Sequence, residues 1–303
     1  MGHYRSVMDS HSRSITVHTT EVNGVEFTYL AAGTSGPLAL CLHGFPDSAH
    51  TWRHLMPQLA NAGYRAVAPF QRGYAPTAVP ADGRYQTGML SLDAIGFHDV
   101  LGGDSDAVII GHDWGAPATH GAAVHEPDRW AKVVSMAVPP GGAIGMGFVT
   151  NVQQVKKSWY MFFFQHGLAD MVVPANDLAF IDLLWADWSP GYAATTDIET
   201  TKACLRDPAH LAAALGYYRA ALGDGYQDPD LAAVQMAAGQ GLPTQPMLYL
   251  HGADDGCIGV EVAESARSMV TPNIAIEVVG NAGHFLHLEQ PEAVNTRIVD
   301  FLS

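Results

Sequence analysis

Charge is scarce in this chain of 303 residues: 15% are Asp, Glu, Lys or Arg, against about 25% in an average soluble domain. Positive charge is scarcer still, since 15 Lys and Arg face 30 Asp and Glu for a net charge of −15 at neutral pH. No basic cluster occurs, and nucleic acids and anionic membrane surfaces are bound through Lys and Arg, so neither is expected as a partner. No run of 18 apolar residues is present to span a bilayer. The opening MGHYRSVMDSHSRS has no apolar stretch behind its arginines and does not read as a secretory signal. Cysteine is sparse: Cys41, Cys204 and Cys257 are odd in number and far apart, with no CxxC pair. That excludes a disulfide framework and a zinc site of the paired-cysteine kind, and the expected location is cytoplasmic.

Apolar residues are plentiful at 48%, enough for one large domain that buries roughly 75% of the unfolded chain's surface. The 15 histidines equal the shortfall of positive charge. Protonating all of them would bring the net charge to zero, so acid is expected to cost the protein solubility.

Residues 1–14 read as a polar tail. SITVHTTEV and VEFTYLAAG are β-branched-rich strands around Asn23-Gly24, a strong hairpin signal. LALCL then has the continuous apolar character of a buried parallel strand. RAVAP, AVIIG, AKVVSMAVP, QPMLYLHG and IAIEVVG continue the series, separated by helical patterns near 50–61, 87–101, 115 onward and 260–270, with a last helix from about 291. Strand-helix alternation implies right-handed crossovers and a mostly parallel sheet covered on both faces. From about 140 to 235 the rhythm breaks into aromatic-rich helical patterns such as KSWYMFFFQ and LAAALGYYRAAL. The expected fold class is therefore α/β: eight strands in a core of residues 15–139 and 236–303, with residues 140–235 a helical lid after the sixth strand.

In such sheets ligands bind beyond the carboxyl ends of the strands. AVIIG runs into Gly111-His112-Asp113-Trp114-Gly115, where small residues flank a central side chain on a sharp strand-to-helix turn. The pattern is that of a nucleophile elbow carrying Asp. A carboxylate is a poor acylating nucleophile, but it can displace a leaving group at saturated carbon and form an alkyl ester, which points to epoxides or alkyl halides. Hydrolysing that ester needs a base. His284, after IAIEVVG, is the preferred candidate, and His287 competes. In HGADDG after PMLYL, Asp255 is preferred over Asp254 to orient the imidazole. His43-Gly44-Phe45-Pro46 ends LALCL; the N–H groups of Phe45 and Trp114 are expected to hold an oxyanion, and Phe45-Pro46 is a candidate cis peptide.

With these residues in place the sequence resembles the α/β-hydrolase superfamily, and within it the epoxide hydrolases. HGFPDSAHTWR, RGYAPT, GHDWGA, SWYMFFFQ, YYR and GHFLHLEQP fall in the family's order from about residue 15 onward. The resemblance implies Asp113 as nucleophile, His284 as base and Asp255 as acid. It also implies that lid residues Tyr160 and Tyr218 protonate the departing alkoxide. His43, Pro46, Trp159 and Phe164 are expected to contact a small apolar epoxide, water is the co-substrate, and no cofactor or metal is implied. Tyr217, Phe162 and Phe163 are expected to pack the lid. Many relatives carry Asp two residues before the Arg of the RGY loop, whereas this chain has Phe70-Gln71-Arg72. Haloalkane dehalogenases share the Asp and the following Trp. They need N–H donors for a halide, and Phe45 offers no side-chain donor after His43-Gly44; the sixth strand also ends Met136-Ala137-Val138 without a carboxylate. A non-catalytic protein keeping the cavity for a small ligand is the alternative from another class.

Overall fold

The computed structural model describes residues 14–303; the polar tail read over 1–14 lies outside them but for Ser14. Eight strands form one sheet: β1 (Thr16–Val22), β2 (Val25–Ala32), β3 (Leu38–Leu42), β4 (Arg65–Pro69), β5 (Val108–His112), β6 (Lys132–Met136), β7 (Met247–Gly252) and β8 (Ile274–Val279). Their spatial order is β1-β2-β4-β3-β5-β6-β7-β8. The β1–β2 and β2–β4 pairs are antiparallel and the other pairs are parallel. Val22 pairs with Val25 across Asn23 and Gly24, whose φ angles of 50° and 75° supply the left-handed turn that suits the twist of two strands.

Side chains alternate along each strand, so each strand feeds two cores. Leu38, Leu40 and Leu42 of β3 face one core together with Ile109 and Tyr249. Ala39 and Cys41 face the other with Ile110, Val134 and Leu248. The first core is covered by α2 (Thr87–Val100) and α3 (Gly115–His125). Helix α1 (Met56–Asn61), preceded by a short 3₁₀ turn at Ala49–Arg53, covers the second core with the C-terminal helix Pro291–Leu302.

Between β6 and β7 the chain runs through α4 (Ala143–Thr150), α5 (Val152–Lys157), α6 (Trp159–Phe163), α7 (Ala169–Val172), α8 (Ala175–Trp188), α9 (Thr195–Leu205) and α10 (Pro208–Leu222). Helix α11 (Ala232–Gln240) follows and packs on α2 and α3. Gly88 N–H of α2 donates to Gln235 Oε1 at 2.6 Å. A methyl group on Gly121 of α3 would come within 2.8 Å of Ala238 Cβ. The lid boundary read at residue 235 thus falls inside a helix that rests on the core: its alanine-rich stretch looks like the lid helices in sequence, and tertiary packing alone assigns it.

Candidate active site

The turn from β5 into α3 is forced by close packing. Asp113 has φ 50°, in the left-handed region that costs a side chain of this kind about 1–2 kcal/mol. Two glycines make the turn possible. A Cβ on Gly111 would lie 2.1 Å from Gly115 O, and one on Gly115 would lie 2.1 Å from Leu42 O. From the end of β3, Gly44 lies so close that a Cβ there would meet Asp113 Oδ1 at 2.2 Å and Trp114 N at 2.6 Å. Its neighbour Phe45 donates its N–H to Asp113 Oδ1 at 2.7 Å, and Phe45-Pro46 is cis. One carboxylate oxygen is thereby held by the backbone. The other, Oδ2, lies 3.4 Å from His284 Nε2.

His284 is fully buried, and its Nδ1 lies 3.0 Å from Asp255 Oδ2. That contact fixes Nδ1 as the protonated nitrogen and leaves Nε2 facing Asp113 without a hydrogen-bond partner. Asp255 Oδ1 accepts the N–H groups of Cys257 at 2.7 Å and Ile258 at 2.9 Å. Burial alone would raise the Asp255 carboxyl, but His284 and these donors outweigh it and hold the group below its ordinary value. Burial would likewise lower His284, and the charge of Asp255 reverses that, with Cys257 and Asp113 pulling the same way, so the imidazole is raised well above 6.5. The two competitors sit elsewhere. Asp254 is exposed. His287 bonds Thr51 Oγ1 at 2.5 Å and stacks on Trp52 with ring centroids 5.1 Å apart.

The helices between β6 and β7 are fastened to this group. Trp188 O, at the end of α8, accepts both His284 N–H at 3.0 Å and Gly256 N–H at 3.1 Å. Trp185 Nε1–H donates to Pro46 O at 2.9 Å, and its ring stacks on Phe285 with centroids 3.5 Å apart. Ser189 Oγ accepts Phe285 N–H at 3.2 Å.

Residues 37–291 match the family described as alpha/beta hydrolase fold. The chain belongs to the α/β-hydrolase fold family. Epoxide hydrolase A of Mycobacterium tuberculosis is 28% identical to this α/β-hydrolase over 334 aligned positions, covering 95% of this chain and 97% of the relative. Human epoxide hydrolase 4 is 29% identical over 289, covering 92% and 76%. The crystal structure of epoxide hydrolase A from Mycobacterium thermoresistibile superposes with a TM-score of 0.79 at 27% identity, covering 95% of this chain and 98% of that one.

The cavity of this α/β-hydrolase has a volume of about 660 Å³ and is lined by Asp113, Trp114, Tyr160 and Tyr218 among others. The tyrosine rings lie 5.6 Å apart. Tyr160 OH is 3.3 Å from Cys257 Sγ, whereas Tyr218 OH has no partner. Burial first, with the Asp113 charge adding to it, raises both phenols well above 10, so both remain proton donors at neutral pH.

Four residues expected to contact substrate do not line the cavity. His43 is fully buried, with Nε2 accepting Gln71 N–H at 2.9 Å while Gln71 Nε2 donates to His43 O. Pro46 is turned toward Trp185 through its carbonyl. Trp159 is 40% exposed and packs on Phe180. Phe164 is buried behind the site, edge-on to Phe45 and Tyr218. Tyr217 is buried against residues outside its own helical segment, its OH donating to Arg72 O at 2.7 Å and its ring lying against Tyr74, Tyr85 and Trp114, whereas Phe162 is 48% exposed. The wall is completed by residues the sequence did not single out, including Ile144, Met146 and Phe148 of α4 and Gln235 of α11. His120 is another; burial pushes it down to about 3, so it is a neutral ring. His112, also missed, holds the His284 turn through Nε2, 2.9 Å from His284 O. Its only sequence signal is its place beside Asp113.

Proposed function

We propose that this protein hydrolyses small apolar epoxides to vicinal diols through an alkyl ester on Asp113. The observation that carries the reading is a single cavity shared by a carboxylate with one oxygen free of the backbone and by two buried tyrosine hydroxyls. Epoxide opening requires that combination, because an alkoxide leaves poorly unless an acid meets it. The names of the relatives point the same way.

In the first step Asp113 Oδ2 attacks a ring carbon, the carbon–oxygen bond breaks, and Tyr160 or Tyr218 gives its proton to the oxygen. Esterification removes the Asp113 charge from beside His284. One of the charges that raise the imidazole is then gone, so its Nε2 becomes free to act as a base when it is needed. In the second step His284 takes a proton from water, and the hydroxide attacks the ester carbonyl carbon of Asp113. The resulting oxyanion on Oδ1 is held by Phe45 N–H, with Trp114 N–H as its partner donor, until it collapses and the bond from the carbonyl carbon to Oδ2 breaks; the leaving oxygen of the diol takes one of the water's protons by way of His284, and the other restores the tyrosine. Asp255 keeps the imidazole in its tautomer and balances its charge.

A panel of aryl and alkyl epoxides and haloalkanes, assayed together for diol and halide, tests the reading. Diol from epoxides is expected, with an adduct of substrate mass trapped in His284→Gln and none in Asp113→Ala. Halide release with no diol would replace the reading with a dehalogenase; release of neither, with a ligand-dependent melting shift, would replace it with a binding protein.

A further inference from the structure

Cys257 has no part in the proposed chemistry, yet it lies inside the site. A carboxylate oxygen of Asp113, Sγ of Cys257 and Nε2 of His284 all lie within 4.8 Å of one another, and all three residues are buried. We propose that these three side chains form a binding site for a zinc-like divalent cation, with the fourth position open to the cavity.

Ligand type fits first: carboxylate oxygen, thiolate sulfur and imidazole nitrogen are the donors zinc takes, and three protein ligands with one open position is its non-structural pattern. Geometry fits next. With bonds of about 2.0–2.1 Å, a tetrahedron has ligand–ligand edges of about 3.4 Å, and Asp113 Oδ2 to His284 Nε2 is 3.4 Å. The two edges to Cys257 Sγ are no longer than 4.8 Å.

The groups behind the ligands matter as much. Metal-bound imidazoles donate their other N–H to a carboxylate, and His284 Nδ1 faces Asp255 at 3.0 Å, leaving Nε2 unpartnered. The second Asp113 oxygen is held by Phe45 N–H at 2.7 Å, and Tyr160 OH is 3.3 Å from the sulfur. Every ligand is therefore already oriented from behind. On binding, the Cys257 thiol and His284 Nε2–H would each release a proton to solvent, leaving a neutral imidazole, and the Cys257 thiolate with the Asp113 carboxylate would balance the charge of the cation.

A second cluster makes the contrast. Asp47, His112 and His287 also bring ligand atoms within 4.8 Å, but none of the three lines the cavity. The first site leaves no local pattern in the sequence, because its ligands follow three separate strands rather than forming a local cysteine pair.

A cation held there ties up Asp113 Oδ2 and His284 Nε2 together, so zinc should inhibit in competition with epoxide; this consequence, unlike the binding itself, rests on the function proposed above. The test titrates EDTA-treated, dialysed enzyme with ZnCl2 by calorimetry and with CdCl2 by ultraviolet absorption. One zinc per chain, a cadmium–thiolate charge-transfer band, and a loss of turnover reversed by EDTA are expected. Cys257→Val, checked for folding by circular dichroism, should lose the band and bind zinc at least about tenfold more weakly, while His287→Gln keeps both. Absence of zinc binding, cadmium binding without the band, or undiminished binding in Cys257→Val would overturn the site. A band that depends on Cys257 in a protein that turns over no epoxide would leave the metal site standing and refute the function.

Discussion

Two buried groups of carboxylate and imidazole lie side by side in this protein, and their residue types are nearly the same. Asp113 lines the cavity with His284 and Asp255 buried in a row behind it, whereas none of Asp47, His112 and His287 lines the cavity. The difference lies in hydrogen-bond supply. Asp255 receives two backbone N–H groups and an imidazole and is held below its ordinary value. Asp47 receives the N–H of Ser48, while its Oδ2 has no partner, and burial pushes it up to about 8. His112 is pushed down to about 3 by burial, and His287 lies well below 6.5 for the same reason. At neutral pH one cluster carries charge and the other carries none. Composition does not make an active site; donors and access do.

The largest test of that contrast removes the charge behind His284. Asp255→Asn should leave the fold intact and lower turnover by about 10⁴-fold, since the wrong imidazole tautomer then faces Asp113; steady-state diol formation measures it, and a loss below tenfold would mean that Asp255 does not set the tautomer. Tyr218→Phe removes the hydroxyl that has no partner in the resting structure. Turnover should fall by about 10²-fold, the lower end for a positioned acid, with the larger loss on epoxides whose alkoxide is the poorer leaving group.

The smallest effect belongs to the second cluster and is read in stability. Asp47 has a raised value, so what it contributes is complete below about 3.9, its unfolded value, and is lost as pH rises through about 8. His112 and His287 are depressed, so what they contribute is complete above about 6.5 and is lost as pH falls. Two depressed groups against one raised group give the cluster a stability maximum near pH 6.5, falling about 1.4 kcal/mol per pH unit on each side. His284, also raised, adds to the alkaline fall. Melting temperatures across pH in the wild type and in Asp47→Asn check the signs: the variant should show a shallower alkaline limb and a steeper acid limb.

The same buried rings bear on the acid behaviour expected from composition. Bringing the net charge to zero requires all 15 histidines to protonate, but burial holds His43 near 4 and His112 and His120 near 3. The folded chain therefore keeps negative charge at a pH where free histidines are cationic.

Legibility in the sequence followed the range of the interactions. All eight strands were readable, because β-branched runs between turn residues are a local signal, and Asn23-Gly24 was readable because a two-residue turn is nearly self-contained. Gly111-His112-Asp113-Trp114-Gly115 announced itself because its glycines are required by steric contacts on either side of one turn. The lining of the cavity did not. His43 and Pro46 sit in a recognisable loop, but Gln71 and Trp185, remote in sequence, turn them to other work. Ile144, Phe148 and Gln235 reach the wall through helix packing that leaves no pattern in their own segments.

The fastening at Trp185, Trp188 and Ser189 has a consequence for anyone exchanging the helices between β6 and β7. Cut points at the strand ends look natural, yet a graft made there removes the carbonyl that braces the turns bearing Asp255 and His284, and the indole seated on Phe285. The portable module is smaller than the insertion: it ends before α8 finishes, and the last turn of that helix travels with the sheet.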